Sequence, residues 1–217
     1  MVRSVAEATG LNYFWVIFKN KISHMPAVSG TIEKLYSIEE YLQMEEQAVG
    51  KHEFLDGKIK EMAGADPTHN IIAVLIMTEL VIALRRKSKS YFVLKSDQKI
   101  HIPEFNQFVY PDAVVVADAL DFYPGSNAII NPLLIVAILS PTTSSYDQTG
   151  KFLKYKSIPS FCEYLLVRQD KPWVMSSFRA SKMVWEDSIA SGLNEKIQLK
   201  SIDCELDLGK IYEGVKF

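Results

Sequence analysis

Leu133-Leu134-Ile135-Val136-Ala137-Ile138-Leu139 is apolar at every position. A strand with one wet face alternates apolar and polar residues, so an unbroken run predicts a central strand covered on both faces. Working outward, strands are expected at Phe108 to Val116, Gln98 to Ile102 and Tyr91 to Lys95 before it, and near Cys162 to Arg168, Trp173 to Phe178 and Lys182 to Trp185 after it. Helices are expected between them. Asp66-Pro67 reads as a cap followed by proline at the first helical position, opening a helix whose run Ile71 to Leu84 is apolar on nearly every face and therefore expected to be buried on several sides. Arg85, Arg86 and Lys87 close it, at the negative end of its dipole. Ser37-Ile38-Glu39-Glu40 has the spacing of a capping box for a helix ending near Gln47. Asp56-Gly57 joins Lys51–Leu55 to Lys58–Met62 as a tight hairpin turn. A further helix is expected from about Ser144 to Ser157. Strands and helices interleaved in this order make an α/β layered domain with a mixed sheet.

The chain has 217 residues, 48% hydrophobic and 23% charged, which excludes disordered, collagenous and disulfide-scaffold classes. Its net charge of -2 excludes the overall basic footprint of a dedicated nucleic-acid binder and leaves room for a local basic groove. Cys162 and Cys204 stand far apart, without the spacing of a zinc site, and a reducing cytoplasm is the expected location. Residues 1–36 read as an N-terminal arm. Its apolar run Leu11–Phe18 is too short to span a bilayer, which needs about 20 residues, and a start at Met25 would make the preceding 24 residues extraneous. Residues 37–217 carry no linker or repeat and are expected to form a single domain.

Two dispersed features suggest chemistry. Tyr110-Pro111-Asp112 places a carboxylate at the head of Ala113–Val116, on the same face as Val114 and Val116, where it needs a partner or a cation. Taken alone, Asp112 suits a turn-closing or N–H-accepting role as well as that of a ligand. Asp147, Lys151 and Tyr155 are spaced by four on one helical face; alone, Asp147 and Lys151 read as a surface ion pair and Tyr155 as core packing. An aspartate on a strand and a lysine on a helix are the residue types that metal-dependent phosphodiester hydrolysis uses.

Ser37-Ile38-Glu39-Glu40-Tyr41-Leu42, Lys51-His52-Glu53-Phe54-Leu55-Asp56-Gly57, His69-Asn70, Tyr110-Pro111-Asp112, Leu139-Ser140-Pro141 and Tyr146-Asp147 through Lys151 to Tyr155 together resemble the Uma-two family of "putative restriction endonucleases". The resemblance implies a PD-(D/E)XK nuclease-like fold, a mixed sheet flanked by helices. It also implies a DNA substrate and a Mg²⁺ or Mn²⁺ cofactor, with Glu53 and Asp112 as metal ligands and Lys151 as the catalytic lysine. Cutting both strands needs two active sites, so a homodimer is also expected. One position departs from the pattern. Where the family has Glu, two residues before Leu139, this chain has Ala137, and a methyl group coordinates nothing. Either a neighbouring acid substitutes or the chain is a degenerate nuclease that binds nucleic acid or a protein partner. His69 near a helix start reads as a capping or packing residue, Asp97 as a spare carboxylate, and the Arg85-Arg86-Lys87 and Lys89 cluster as a solvated helix end.

Overall fold

Ser37 and Glu40 close helix α1 (Ile38–Gln47) reciprocally: Glu40 N donates to Ser37 Oγ at 3.1 Å, and Ser37 N to Glu40 Oε2 at 2.8 Å. The computed structural model describes residues 34–139 and 150–217. Leu35–Phe217 form one compact unit. The hairpin follows as β1 (His52–Leu55) and β2 (Lys58–Glu61), with Asp56 at φ 53° and Gly57 at φ 87°, the two left-handed positions its turn requires. Helix α2 (Pro67–Leu84) is capped by Asp66, whose side chain accepts from His69 N at 3.0 Å.

Twelve further strands and α-helices complete the described fold. They are β3 (Tyr91–Lys95), β4 (Ile100–Ile102), β5 (Gln107–Val109), β6 (Ala113–Ala117), β7 (Leu134–Leu139), helix α3 (Phe152–Tyr155), β8 (Glu163–Arg168), β9 (Trp173–Arg179), β10 (Trp185–Ser191) and the β11–β12 hairpin (Lys196–Leu199 and Cys204–Asp207) that leads into α4 (Leu208–Ile211). β7 is central, as its composition dictates, and all six of its residues are buried. It lies within the six-stranded order β10-β9-β8-β7-β6-β3, parallel to β8 and antiparallel to β6. A four-stranded antiparallel sheet, β2-β1-β5-β4, carries α1.

Alternation along β6, β7 and β8 builds a core on each face of the large sheet. Ala113, Val115, Val136, Ile138 and Leu165 face α2 and the β11–β12 hairpin. Val114, Ile135, Ala137 and Leu166 face the other way, toward β4, Tyr155 of α3 and Phe161.

Three expectations need correction. Phe108–Val116 is not one strand: β5 belongs to the small sheet and β6 to the large one, and Tyr110-Pro111-Asp112 crosses between them. Pro111 has no N–H to give a ladder, so the strand breaks there. The last hairpin is displaced. Ser181-Lys182-Met183 forms the turn, closed by Ala180 N donating to Val184 O at 3.0 Å, and the strand starts at Trp185. Helix α2 buries one stripe only, Ile72, Ile76, Leu80 and Leu84, because only one of its sides meets the sheet. Ile71, Val74 and Ile82 are 46%, 58% and 45% exposed. Of the helix expected over Ser144–Ser157, residues 144–149 lie outside the described residues, and the described part is α3.

Candidate active site

Asp112 N donates to Val136 O at 3.1 Å, and Asp112 Oδ2 accepts from Ile138 N at 2.6 Å. The carboxylate thus supplies the ladder rung that the backbone, diverted by Pro111, cannot. Its other oxygen, Oδ1, lies 2.8 Å from His69 Nε2. His69 stands in the first turn of α2, three residues after the cap. Asp66 Oδ2 accepts from Gln169 Nε2, just past β8, at 2.9 Å. The N-terminus of α2 and the ends of β6, β7 and β8 thereby converge on one polar cluster.

Read as a capping or packing residue, His69 is instead the partner of Asp112; the only sequence signal for it was the His69-Asn70 pair within the family resemblance. Burial opposes a charge on this imidazole, but the hydrogen bond and charge of Asp112, helped by Asp66 and Gln169, outweigh it and hold the pKa above the ordinary value. A raised folded-state pKa means that His69 stabilises fully below its unfolded value, about 6.5, and that this contribution fades as pH climbs through the folded value. Melting temperatures of the parent chain and of His69→Gln should therefore differ most below pH 6 and converge toward pH 9. A gap that stays constant or widens with pH would contradict the pairing.

Glu53 of β1 is buried and paired. It is 4% exposed, and Lys151 Nζ donates to its Oε1 at 2.9 Å. Phe54 packs with α1, so alternation turns Glu53 to the opposite face, shared with Leu55, which packs against the core that contains Ala137. The described partner of Lys151 is thus distant in sequence; Asp147 lies outside the described residues. Tyr155 is buried in the core as expected.

Glu45 of α1 went unnoticed in the sequence. Its Oε1 accepts from Tyr110 Oη at 2.7 Å and His52 N at 3.0 Å, and its Oε2 lies 3.0 Å from His52 Nδ1. One buried carboxylate therefore clips together the residue before Glu53 and the residue two before Asp112. Burial and this carboxylate raise the Tyr110 pKa, which keeps the phenol a donor. An acid eight residues into an amphipathic helix gives no sequence signal for such a role. Asp97 is no spare ligand: it is exposed and paired with Lys51 and Lys95. Lys87 and Lys89 pair with Asp203 and Asp118. Burial raises the pKa of both thiols, that of Cys204 to about 11, so neither is a ready nucleophile.

A divalent cation of the nuclease type needs oxygen ligands that converge. Asp112 faces His69 and a backbone N–H, Glu53 is held by Lys151, and Ala137, just before the Ile138 N–H that Asp112 accepts, is 8% exposed and offers a methyl group. Among the described residues no group of three or more His, Cys, Asp or Glu is placed to hold a metal. The described residues do not fit a resident Mg²⁺.

The profile of a family described as "Putative restriction endonuclease", Uma2, matches residues 38–208. The chain belongs to the Uma-two family. Two relatives from Synechocystis sp., both named "Uncharacterized protein", are similar to it. One, slr1290, is 32% identical over 208 residues, covering 90% of this chain and all of its own length. The other, sll1609, is 36% identical over 137 residues, covering 63% of this chain and 76% of its own. Among solved structures, a "putative nuclease belonging to DUF820" from Anabaena variabilis superimposes with a TM-score of 0.66 at 15% identity, covering 82% of this chain and 97% of that one. The Uma-two chain thus has the mixed α/β fold of that protein, with few helices.

Proposed function

We propose that this Uma-two protein binds DNA through the face that carries Asp112, Ala137 and the Glu53–Lys151 pair, and that its phosphodiester hydrolysis is impaired by the missing carboxylate at 137. Family membership supports the DNA substrate and the endonuclease ancestry. The observation that carries the impairment is the pairing of every remaining candidate ligand within the protein: Asp112 with His69 and Ile138 N, Glu53 with Lys151. In this reading Lys151 meets a backbone phosphate, Glu53 positions Lys151, and Asp112 holds β6 to β7. In the active ancestor, Asp112, Glu53 and the carboxylate at 137 would have supplied the oxygen ligands for Mg²⁺ or Mn²⁺.

Fluorescence anisotropy of a labelled duplex in EDTA tests the proposal. Binding should occur without metal and weaken steeply with salt. Lys151→Gln should lower the slope of log affinity against log salt by about one. Cleavage by the unaltered chain in Mg²⁺ that Asp112→Ala abolishes would refute the impairment, and absence of both binding and cleavage would refute the DNA reading.

A further inference from the structure

Helix α2 has a mean hydropathy of 1.7 and yet buries only 22% of its residues. Its uncovered stripe is Ile71, Val74, Thr78, Ile82 and Arg85. The spacings are three, four, four and three, so the stripe stays on one helical face and reads the same from either end, centred on Thr78. Glu79, the only charged side chain on the helix, is turned aside to Lys210 at 3.4 Å. Beside the stripe, Met77, Val81 and Val93 line an open groove of about 660 Å³ between α2 and β3, the outermost strand of the large sheet.

We infer that this face joins two copies of the chain about a twofold axis through Thr78, with α2 antiparallel to its counterpart. That arrangement sets Val74 against Ile82 of the second copy and Thr78 against Thr78, along the groove that Val74, Thr78 and Ile82 themselves line. Charge favours the same orientation. Arg85 and Arg86 end the helix and Asp66 begins it. Antiparallel packing brings each basic end beside the other copy's acidic cap, with the helix dipoles opposed, whereas parallel packing would place Arg85 on Arg85. Arg85 also fits its place at the end of the stripe, its aliphatic stem lying over Ile71 of the second copy. A stripe symmetric in spacing and complementary in charge with itself matches a second copy better than an unrelated surface. Lys89 and Lys95 flank β3, which discourages open-ended strand pairing at that edge and leaves the helix to make the contact. The inference does not depend on the DNA reading.

Sedimentation velocity of the full chain at 1–100 μM should give a species of twice 24.6 kDa. Val74 and Ile82 are exposed in the single chain, so Val74→Glu and Ile82→Glu should keep the parent's circular dichroism while weakening self-association by at least about tenfold, because each places a charge in an apolar contact. Leu153→Glu, exposed on α3, should leave it unchanged. Thr78→Cys should form a covalent dimer under mild oxidation, and Leu153→Cys should not. A monomer at 100 μM would overturn the inference, and so would a dimer indifferent to Ile82→Glu and not cross-linked through Thr78→Cys.

Discussion

Ala137→Glu is expected to turn a chain that leaves supercoiled plasmid intact into one that nicks it in Mg²⁺ or Mn²⁺. Position 137 lies in the middle of β7, between Val136, whose carbonyl accepts from Asp112 N, and Ile138, whose N–H donates to Asp112 Oδ2. A glutamate there would bring a second carboxylate beside the first, on a strand fixed on both sides by β6 and β8. Ala137 is 8% exposed, so the new side chain has a path toward solvent and need not bury its charge in the core. A cation bound between two carboxylates supplies several kcal/mol of transition-state stabilisation, and each 1.36 kcal/mol is tenfold in rate, so the gain should be about 10²–10³-fold over the unaltered chain. Adding Asp112→Ala to the restored chain should abolish the gain. Gel quantification of nicked and linear plasmid reads both effects. A restored chain no faster than its parent would mean that the scaffold is not an endonuclease missing a single ligand.

Glu163→Ala should produce the largest loss of stability. Glu163 is fully buried on β8, beside Leu165 and Val167, on the face that receives the β11–β12 hairpin. It accepts from Ser176 Oγ at 2.5 Å, Lys200 N at 3.1 Å, Ser201 N at 2.9 Å and Ser201 Oγ at 2.6 Å. No described Lys or Arg forms an ion pair with it, so hydroxyl and amide dipoles hold the charge. Removing the carboxylate leaves four donors without their acceptor, the buried Ser176 Oγ and the part-buried Lys200 N, Ser201 N and Ser201 Oγ, and opens a cavity between β8, β9 and the turn of the β11–β12 hairpin. Hydrogen bonds to a charged group are worth about 1.5–3 kcal/mol each, with strong overlap within one cluster, so the loss should be about 3–5 kcal/mol. For a chain of this length that lowers Tm by on the order of 10 °C. Glu163→Gln keeps one acceptor oxygen and should lose less. Thermal unfolding followed by circular dichroism checks both, and a Tm within about 2 °C of the parent for Glu163→Ala would refute the account.

Local chemistry made much of the fold legible. The capping box at Ser37, the Asp56-Gly57 turn, the Asp66-Pro67 helix start and the unbroken apolar run of β7 each act over a few residues, and each lies where its spacing predicts. Features that depend on what lies opposite were not legible. Nothing in the apolar composition of α2 says that only one of its faces meets a sheet. The sheet change at Pro111 depends on β5 finding β1 and β6 finding β7, pairings the local sequence does not encode. In the candidate site, Asp112 and Ala137 were found through family motifs, whereas the His69–Asp112, Glu53–Lys151 and Glu45–Tyr110 contacts join residues from distant parts of the chain. A carboxylate on an amphipathic helix or a short hairpin looks solvated until its partner arrives from elsewhere.

Asp112 has an employment in the sheet that does not depend on any chemistry. Because its Oδ2 takes the Ile138 N–H that ends the β6–β7 ladder, selection for a folded sheet would retain the aspartate long after selection for cutting had ceased. Position 137 has no such second duty, since its side chain bonds to nothing in the ladder and alanine fills it without strain. Keeping the aspartate in a Uma-two sequence would therefore report on the sheet as well as on any cutting.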